Sequence, residues 1–389
     1  MFSSRLKWDS HPNSLSTLLA QKRDAGAHIL DLTESNPTNA ELHYDREQVL
    51  ESLADPRALR YEPAARGLLS AREAIGGYYA CRGTRVEPSR ILLTASTSEA
   101  YTYVFKLLCN PGDEVLVPRP SYPLFEYLAA MECVTIKQYP LRYDGAWHIE
   151  FEAIRQAIGP RTKAIVVVNP NNPTGSFLKH SEWKRLSELG LPVLSDEVFS
   201  DFSFGPDPSQ VPTLAAPTSV HGEGVLTFSM SGLSKIAGLP QMKLGWIAAS
   251  GPGHQAALEG LEWIADTFLS VATPVQWALP KLLHLAEPIR QEILARCQAN
   301  LQFLQASAKG TPCHVLNTEG GWYATVQVPR TRNEEEWALE LLGEQEVLVQ
   351  PGFFYDFESE AFLVLSLLTP PGVFEEGVRR MISACLQTG

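Results

Sequence analysis

The chain has 389 residues, of which 44% are hydrophobic and 20% are charged, and its formal net charge is −12. This length suggests two domains, and the composition is that of an ordinary globular protein. The acidic balance argues against nucleic acid or an anionic membrane as the main partner. No segment approaches the roughly 18 to 20 apolar residues that span a bilayer, and the first residues lack the apolar stretch of a signal peptide. We therefore expect a cytoplasmic protein.

The six cysteines are scattered without CxxC spacing, and the nine histidines show no HExxH or other ligand spacing. Cys109 and Cys133 fall in apolar segments, where a thiol behaves as a small hydrophobic group. We therefore predict neither a disulfide framework nor a metal site.

Between residues 68 and 250, short apolar segments alternate with segments of helical periodicity. Strands are predicted at 91–93, 114–117, 164–168, 192–194 and 225–228, and helices at 100–108, 124–130, 151–158 and 181–188. Strands that are apolar on both faces and alternate with helices predict a mostly parallel sheet with helices on both sides. Ligands of such sheets bind beyond the carboxyl ends of the strands.

Beyond residue 250 the pattern changes. A long helix is predicted at about 281–307, followed by strands at 322–328, 347–350 and 362–367 and helices near 334–342 and 374–386. This order predicts a small α+β domain that also includes the N-terminal segment. We place the large domain at residues 45–285 and the small domain at residues 1–44 and 286–389.

Three polar residues carry most of the chemical information. Lys235 follows the predicted strand 225–228 through a loop of small residues, Asp196 ends another predicted strand, and Asn172 lies in the sequence Asn-Pro-Asn-Asn-Pro-Thr-Gly. A buried amine, a carboxylate at a strand end and an amide in a rigid Pro/Gly loop are the groups needed to hold a pyridoxal cofactor.

Together these motifs resemble the class I/II aminotransferases, which are pyridoxal 5′-phosphate enzymes of fold type I in the aspartate aminotransferase superfamily. The resemblance extends over nearly the whole chain, from Ser35 to the C-terminal helix, and depends on the Asn-Asn-Pro-Thr-Gly and Ser-Xaa-Xaa-Ser-Lys signatures. It implies an α/β fold with a mostly parallel, seven-stranded-type sheet in a large domain and a small α+β domain.

The resemblance also implies a role for each motif residue. Lys235 matches the Schiff-base lysine, which also shuttles a proton during catalysis. Asp196 matches the carboxylate that pairs with the pyridine nitrogen and keeps the ring an electron sink. Asn172 matches the residue that hydrogen-bonds the phenolic oxygen of the cofactor, and Tyr122 matches the aromatic residue that stacks on its ring.

Two further segments match family positions that contact the phosphate of the cofactor. Ser96, Thr97 and Ser98 lie between a predicted strand and a helix expected to begin at Glu99, where backbone N–H groups and hydroxyls can bind an anion. The alternative is that these hydroxyls only cap the helix, although the same residues can cap the helix and bind a phosphate at once. Tyr61 matches the tyrosine that reaches the phosphate of the cofactor bound in the neighbouring subunit. This match implies a homodimer with shared active sites.

Three positions depart from the family pattern. Lys243 stands where an arginine usually grips the phosphate, and Phe199 replaces a tyrosine that hydrogen-bonds the cofactor. Val364 stands where the family has the arginine that binds the substrate carboxylate. Arg66, Arg119 and Lys179 lie in segments that could approach the site and replace it.

We therefore expect an aminotransferase that transfers an amino group between an amino acid or amine and a 2-oxo acid by a ping-pong mechanism. Because Val364 cannot bind a carboxylate, another pyridoxal reaction on the same fold stays open: β- or γ-elimination, decarboxylation or an unusual oxidation or cyclisation. A pyridoxal-binding regulator is a weaker alternative, because the chain shows no additional DNA-binding domain.

Overall fold

The computed structural model describes residues 3, 5, 11–216 and 224–387 of the chain. The N-terminal residues considered for a signal peptide lie mostly outside this range. The α-helices are Ser14–Asp24, Arg46–Ser52, Leu69–Cys81, Thr97–Leu108, Phe125–Met131, Phe151–Ala157, His180–Ser187, Leu233–Ile236, His254–Phe268, Thr273–Ala308, Glu334–Glu344 and Pro371–Leu386. No helix of the described residues has the length and apolar character needed to cross a membrane.

The strands are β1 (Leu30–Asp31), β2 (Ile91–Thr94), β3 (Glu114–Arg119), β4 (Thr135–Tyr143), β5 (Trp147–Ile149), β6 (Thr162–Val168), β7 (Val193–Asp196), β8 (Thr227–Gly232), β9 (Gly245–Ser250), β10 (His314–Val315), β11 (Tyr323–Gln327), β12 (Val347–Leu348), β13 (Gln350–Pro351) and β14 (Phe362–Ser366). Each predicted strand overlaps an observed one. The sequence patterns missed five strands: β1, β4, β5, β9 and β10. β4 is half exposed with little alternation and β9 is rich in small residues, whereas β1, β5 and β10 are only two or three residues long.

Within the described residues, the large sheet has eight strands in the order β2-β9-β8-β7-β6-β3-β4-β5. The pairs from β4 through β3, β6 and β7 to β8 are parallel, whereas β9 pairs antiparallel with both β8 and β2. The eighth strand, β5, adds to the edge as an antiparallel hairpin with β4, so the sheet is one strand wider than predicted. The mostly parallel α/β architecture is as expected.

A second, antiparallel sheet has the order β10-β11-β14-β13, and β1 pairs in parallel with β12. Apolar side chains of this sheet pack with the helices Glu334–Glu344 and Pro371–Leu386 in one core. The helix Thr273–Ala308 runs through the boundary predicted near residue 285. Its first half packs against the core around Trp246 and its second half against the core around Trp322. The division at this boundary stays a prediction.

Candidate active site

A cavity of about 220 Å³ lies at the carboxyl ends of β6, β7 and β8, where the family resemblance places the cofactor. The three strands are parallel neighbours, so the segments that follow them meet at one edge of the sheet. We call this space the Lys235 cavity. The residues that line it are Ser35, Thr97, Tyr122, Val168, Asn172, Asp196, Val198, Phe199, Ser234, Lys235 and Tyr323.

The close pairing of β8 with β9 fixes the backbone position of Lys235. Gly232 ends β8 opposite Gly245 of β9, and the helix Leu233–Ile236 follows at once. A Cβ atom on Gly232 would lie 2.9 Å from both the Gly245 Cα and the Leu244 carbonyl oxygen, so only glycine fits there. The short helix that carries Lys235 therefore begins directly at the sheet edge.

The Lys235 amine lies among aromatic rings. Its Nζ is 4.7 Å from the ring centroid of Trp322 and 5.4 Å from that of Phe199. Burial lowers the pKa of Lys235 to about 8, although the negative charge of Asp196 acts in the opposite direction. A much larger fraction of this amine is therefore unprotonated near neutral pH than for a surface lysine, as a nucleophile requires.

Asp196 is the last residue of β7, and its carboxylate is almost fully buried. Burial raises its pKa to about 6, against hydrogen bonds that favour the charged form. The Val198 backbone N–H donates to Oδ1 at 3.2 Å, and the Tyr101 hydroxyl donates to Oδ2 at 3.1 Å. Asp196 is therefore mostly ionised at neutral pH and can face a cationic partner in the cavity.

Asn172 belongs to a tightly packed loop after β6. Gly175 in this loop has a φ of +70°, and a Cβ atom there would lie 2.5 Å from both the Gly320 carbonyl oxygen and the Thr318 Cγ2. The loop thus packs directly against the segment that leads to Trp322. Asn172 is 7% exposed, and its Oδ1 has no hydrogen-bond partner among the described residues. An amide that is buried at a cavity without a partner indicates that a bound molecule completes its hydrogen bonding.

The predicted phosphate segment forms the start of the helix Thr97–Leu108. Ser96 is its N-cap and accepts a hydrogen bond from the Glu99 backbone N–H at 3.2 Å, while Thr97 lines the cavity. The helix begins at Thr97, two residues earlier than expected, because the Ser96 hydroxyl caps it. The Glu99 carboxylate accepts a further hydrogen bond from the Ala95 backbone N–H, at 2.6 Å. Ser98 therefore lies in the first turn.

The two aromatic residues predicted for the cofactor site line the cavity. Burial raises the pKa of Tyr122 to about 12, with a further contribution from Asp196, so its hydroxyl stays protonated. Phe199 is buried and packs edge-on against Trp322 at a centroid distance of 5.3 Å and against Tyr323 at 6.1 Å. The phenyl ring thus occupies the cavity wall beside Lys235 but offers no hydroxyl.

Four predicted cofactor-binding residues do not line the cavity within this chain: Ser96, Ser98, Tyr61 and Lys243. Tyr61 is 77% exposed and borders a different surface cavity, next to Gly67 and Leu269. Lys243 is exposed and has a φ of +48° just after the short 3-10 helix Pro240–Met242. The roles predicted for Tyr61 and Lys243 stay predictions.

The three cations considered as replacements for the family arginine are all engaged elsewhere. Arg66 forms an ion pair with Glu262 at 2.7 Å, and Arg119 pairs with Glu358. Lys179 pairs with Glu319 at 2.8 Å and Asp207 at 3.2 Å. None of the three lines the Lys235 cavity, and Lys235 is the only cationic residue among those that do.

Several residues of the site escaped the sequence patterns. Ser234 belongs to the Ser-Xaa-Xaa-Ser-Lys signature but received no predicted role. Tyr101 lies four residues after Thr97 and so shares its helix face, a signal that becomes useful only once the helix start is known. Ser35 and Tyr323 come from segments distant in sequence, and only the tertiary fold brings them to the cavity.

Comparison with known proteins identifies the class of enzyme. The model of the family "Aminotransferase class I and II" matches residues 27–380. The mouse tyrosine aminotransferase is 27% identical over 342 residues, which are 84% of this chain and 73% of that protein. The glutamate-pyruvate aminotransferase AlaA of Haemophilus influenzae is 26% identical over 374 residues, which are 92% of this chain and 91% of that protein.

Solved structures agree at the level of the fold. The alanine aminotransferase of Pyrococcus furiosus superposes with a TM-score of 0.86 at 23% identity, over 100% of both chains. The chain is thus an amino-group-transferring enzyme on a fold-type-I scaffold. It belongs to the class I and II aminotransferase family, so the expected membership, fold and reaction class are confirmed.

Proposed function

We propose that the Lys235 cavity binds pyridoxal 5′-phosphate, with Lys235 as the covalent attachment point. The cofactor supplies an aldehyde that condenses with amines and a pyridinium ring that accepts electron density from the substrate. The groups present match these needs: a partly buried amine with a pKa of about 8, an ionised buried carboxylate and a buried amide whose oxygen has no partner among the described residues. The observation that carries the proposal is that the Lys235 amine and the buried Asp196 carboxylate line the same cavity.

Each end of the cavity offers groups for one part of this cofactor. Asp196 would pair with the protonated pyridine nitrogen, and Tyr122 would stack on the ring. Asn172 would hydrogen-bond the phenolic oxygen, with Phe199 beside it. The hydroxyls of Thr97 and Ser234, together with the first N–H groups of the helix Thr97–Leu108, would bind the phosphate. Ser96, Ser98 and Lys243 are the remaining candidates for phosphate contacts.

In the reaction, Lys235 would release the cofactor to the incoming amine and then act as general base and acid. A neutral amine can remove the proton from the substrate α-carbon, and the resulting ammonium can return it at the other end of the reacting bond system. A lysine whose pKa lies near 8 serves both steps better than one near 10.5, because neither form is strongly disfavoured at neutral pH. A 2-oxo acid would then accept the amino group in the second half-reaction of a ping-pong cycle.

We also propose that the active unit is a cytoplasmic homodimer in which Tyr61 acts across the interface. Large apolar side chains are exposed on the segment that carries Tyr61 and on the helix His254–Phe268, whose end borders the same cavity as Tyr61: Leu59 at 93%, Leu69 at 56%, Trp263 at 78% and Phe268 at 53%. Such a concentration of exposed apolar side chains is typical of a protein interface. A second copy of the chain would cover it and bring Tyr61 toward the neighbouring cavity.

The substrate side of the cavity differs from that expected for an ordinary amino acid. Val364 pairs in register with Thr325 of β11 and Gln350 of β13, so it lies on the same sheet face as Tyr323, which lines the cavity. The valine is fully buried and offers no donor. A carboxylate held there without a charged partner would be costly to desolvate.

Neutral hydroxyls stand in place of a cation. Ser35 and Tyr323 border the cavity beside Phe199, and the Ser35 hydroxyl interacts with the Tyr323 phenol. We propose that this pair contacts the substrate, and that the preferred amino donor is an amine or an unusual amino acid rather than aspartate or alanine. Loss of a bidentate charged contact weakens specificity by on the order of 2–3 kcal/mol, or about two decades.

A panel of amino donors tests this proposal. We expect kcat/KM for alanine and aspartate to lie about a hundredfold below that of the best amine or amino alcohol. Val364→Arg should narrow this difference, whereas the isosteric Val364→Thr should not. Efficient turnover of alanine or aspartate by the wild type would contradict the proposed substrate class and indicate a cation contributed by the partner subunit.

A further inference from the structure

Tyr101 lies at the point where two parts of the proposed cofactor site touch. It belongs to the helix Thr97–Leu108, whose first turn borders the phosphate end of the cavity. Its hydroxyl donates to Oδ2 of Asp196 at 3.1 Å, and the residue is 1% exposed. One side chain thus connects the phosphate helix with the carboxylate at the end of β7.

The position of the Tyr101 ring is fixed by packing. Phe125 contacts it edge-on at a centroid distance of 5.4 Å, and Phe105 packs against it at 6.0 Å. Burial raises the pKa of Tyr101 well above 10, and the neighbouring Asp196 charge adds to this effect. The hydroxyl therefore stays protonated across the physiological range and can only donate to the carboxylate, not compete with it for a cation.

We propose that Tyr101 is a positioning residue that holds the Asp196 carboxylate ionised and aimed at the pyridine nitrogen of the cofactor. This inference rests on the proposed cofactor site. The Val198 N–H fixes Oδ1 and the Tyr101 hydroxyl fixes Oδ2, so both carboxylate oxygens are oriented by donors from different elements. A donor to the ionised form lowers the pKa of a carboxyl group, which opposes the effect of burial.

The other charged or titratable groups that act on Asp196 come from three segments. Glu197 is the next residue and its charge raises the Asp196 pKa, whereas Lys235 lowers it. Tyr122, on the loop before the helix Phe125–Met131, also interacts with the carboxylate but is not hydrogen-bonded to it among the described contacts. Burial and the Glu197 charge raise the Asp196 pKa, and the hydrogen bond from Tyr101 lowers it. Removal of the Tyr101 hydroxyl would therefore raise the Asp196 pKa.

The experiment uses 4′-deoxypyridoxine phosphate, a cofactor analogue without the aldehyde, so that Lys235 chemistry plays no part. Its affinity for the apoenzyme is measured by fluorescence from pH 5 to pH 9 in wild type, Tyr101→Phe and Tyr139→Phe. Tyr139 is the matched control, since it is also buried and its hydroxyl donates to the Val166 carbonyl at 2.7 Å rather than to Asp196.

For Tyr101→Phe we expect the acid limb of the affinity profile to move up by about one pH unit, with roughly tenfold weaker binding at pH 5 and about twofold weaker binding at pH 7. A 3-fluorotyrosine at position 101, which is a stronger donor of similar shape, should move the limb down. Tyr139→Phe should leave it in place. An unmoved limb in folded Tyr101→Phe would overturn the positioning role. Failure of the analogue to bind the wild type would instead contradict the proposed cofactor site.

Discussion

The properties of Asp196 and Lys235 follow from burial more than from any single contact. Burial moves the two pKa values toward each other, to about 6 for the acid and about 8 for the amine. Both shifts show that burial disfavours the charged form. The charged form of each group is therefore less stable in the folded apoenzyme than it would be in water. This destabilisation is expected of a site whose groups await a charged ligand.

A stability measurement can detect the destabilisation at Asp196. The folded pKa of about 6 exceeds the unfolded value of about 3.9, so the folded state binds more protons between these values. The contribution of Asp196 to stability is therefore fully present below about pH 4 and is lost as the pH rises through 6. The free energy of unfolding of the Asp196→Asn apoenzyme, relative to wild type, should increase by about 1 kcal/mol from pH 5 to pH 8.

Denaturant unfolding of the two apoenzymes at both pH values gives this difference. Asp24→Asn, at an exposed carboxylate at the end of the helix Ser14–Asp24, is the control and should show a constant difference. A relative stability of Asp196→Asn that falls toward pH 8 would mean that the carboxylate is ionised with a depressed pKa.

At the scale of elements, the Asn172 loop illustrates how backbone geometry positions a side chain. Gly175 allows the loop to contact the Gly320 backbone, which no residue with a Cβ could do without displacement. Gly175→Ala should lower the free energy of unfolding by about 1–3 kcal/mol more than Gly83→Ala, measured by denaturant unfolding. Gly83 has a similar φ of +76°, but a Cβ atom added there would contact no atom of the described residues within 4 Å. The Gly83→Ala variant therefore measures the cost of the positive φ alone. Equal losses in the two variants would mean that the close approach at Gly175 relaxes freely.

The sequence predicted the parallel part of the large sheet because buried parallel strands are continuous apolar segments with clear ends. The same logic placed Asp196 and Lys235 at strand ends, where the structure has them. Strand β9 escaped prediction because Gly245, Ala248 and Ala249 give it little β character. The start of the helix Thr97–Leu108 was misplaced because its cap depends on a hydrogen bond from the Glu99 backbone N–H to the Ser96 hydroxyl rather than on periodicity.

Other parts of the site depend on tertiary structure alone. No local pattern indicates that Tyr323 of β11 reaches the cavity at the end of β7, because the two elements belong to different sheets. The ion pairs of Arg66, Arg119 and Lys179 could not be predicted from the sequence either, because each partner is more than twenty residues away along the chain. The sequence therefore predicted the cofactor side of the site better than the substrate side.

At the scale of the whole molecule, the proposed homodimer makes a prediction about mixed chains. Lys235→Ala and Tyr61→Ala chains should each be inactive or nearly so alone. After unfolding and refolding together, about half of the dimers contain one chain of each kind, and one of their two sites has both residues intact. About a quarter of wild-type activity should therefore return in a steady-state assay.

The control mixture pairs Lys235→Ala with Asp196→Ala. Lys235 and Asp196 line the same cavity of one chain, so the partner chain cannot supply either residue. One site of that dimer lacks Lys235 and the other lacks Asp196, so activity should stay near zero. Recovery in both mixtures, or in neither, would be inconsistent with the role of Tyr61 across the interface.

The central claim is that Lys235 and its cavity transfer an amino group. The most direct measurement is a single half-reaction, in which enzyme loaded with cofactor receives an amino donor without any 2-oxo acid. We expect one equivalent of carbonyl product per active site, conversion of the cofactor to its amine form, and recovery of the original absorbance when a 2-oxo acid is added. Lys235→Ala should complete neither half. Continuous release of ammonia or carbon dioxide, with the cofactor aldehyde regenerated and no acceptor required, would contradict the account.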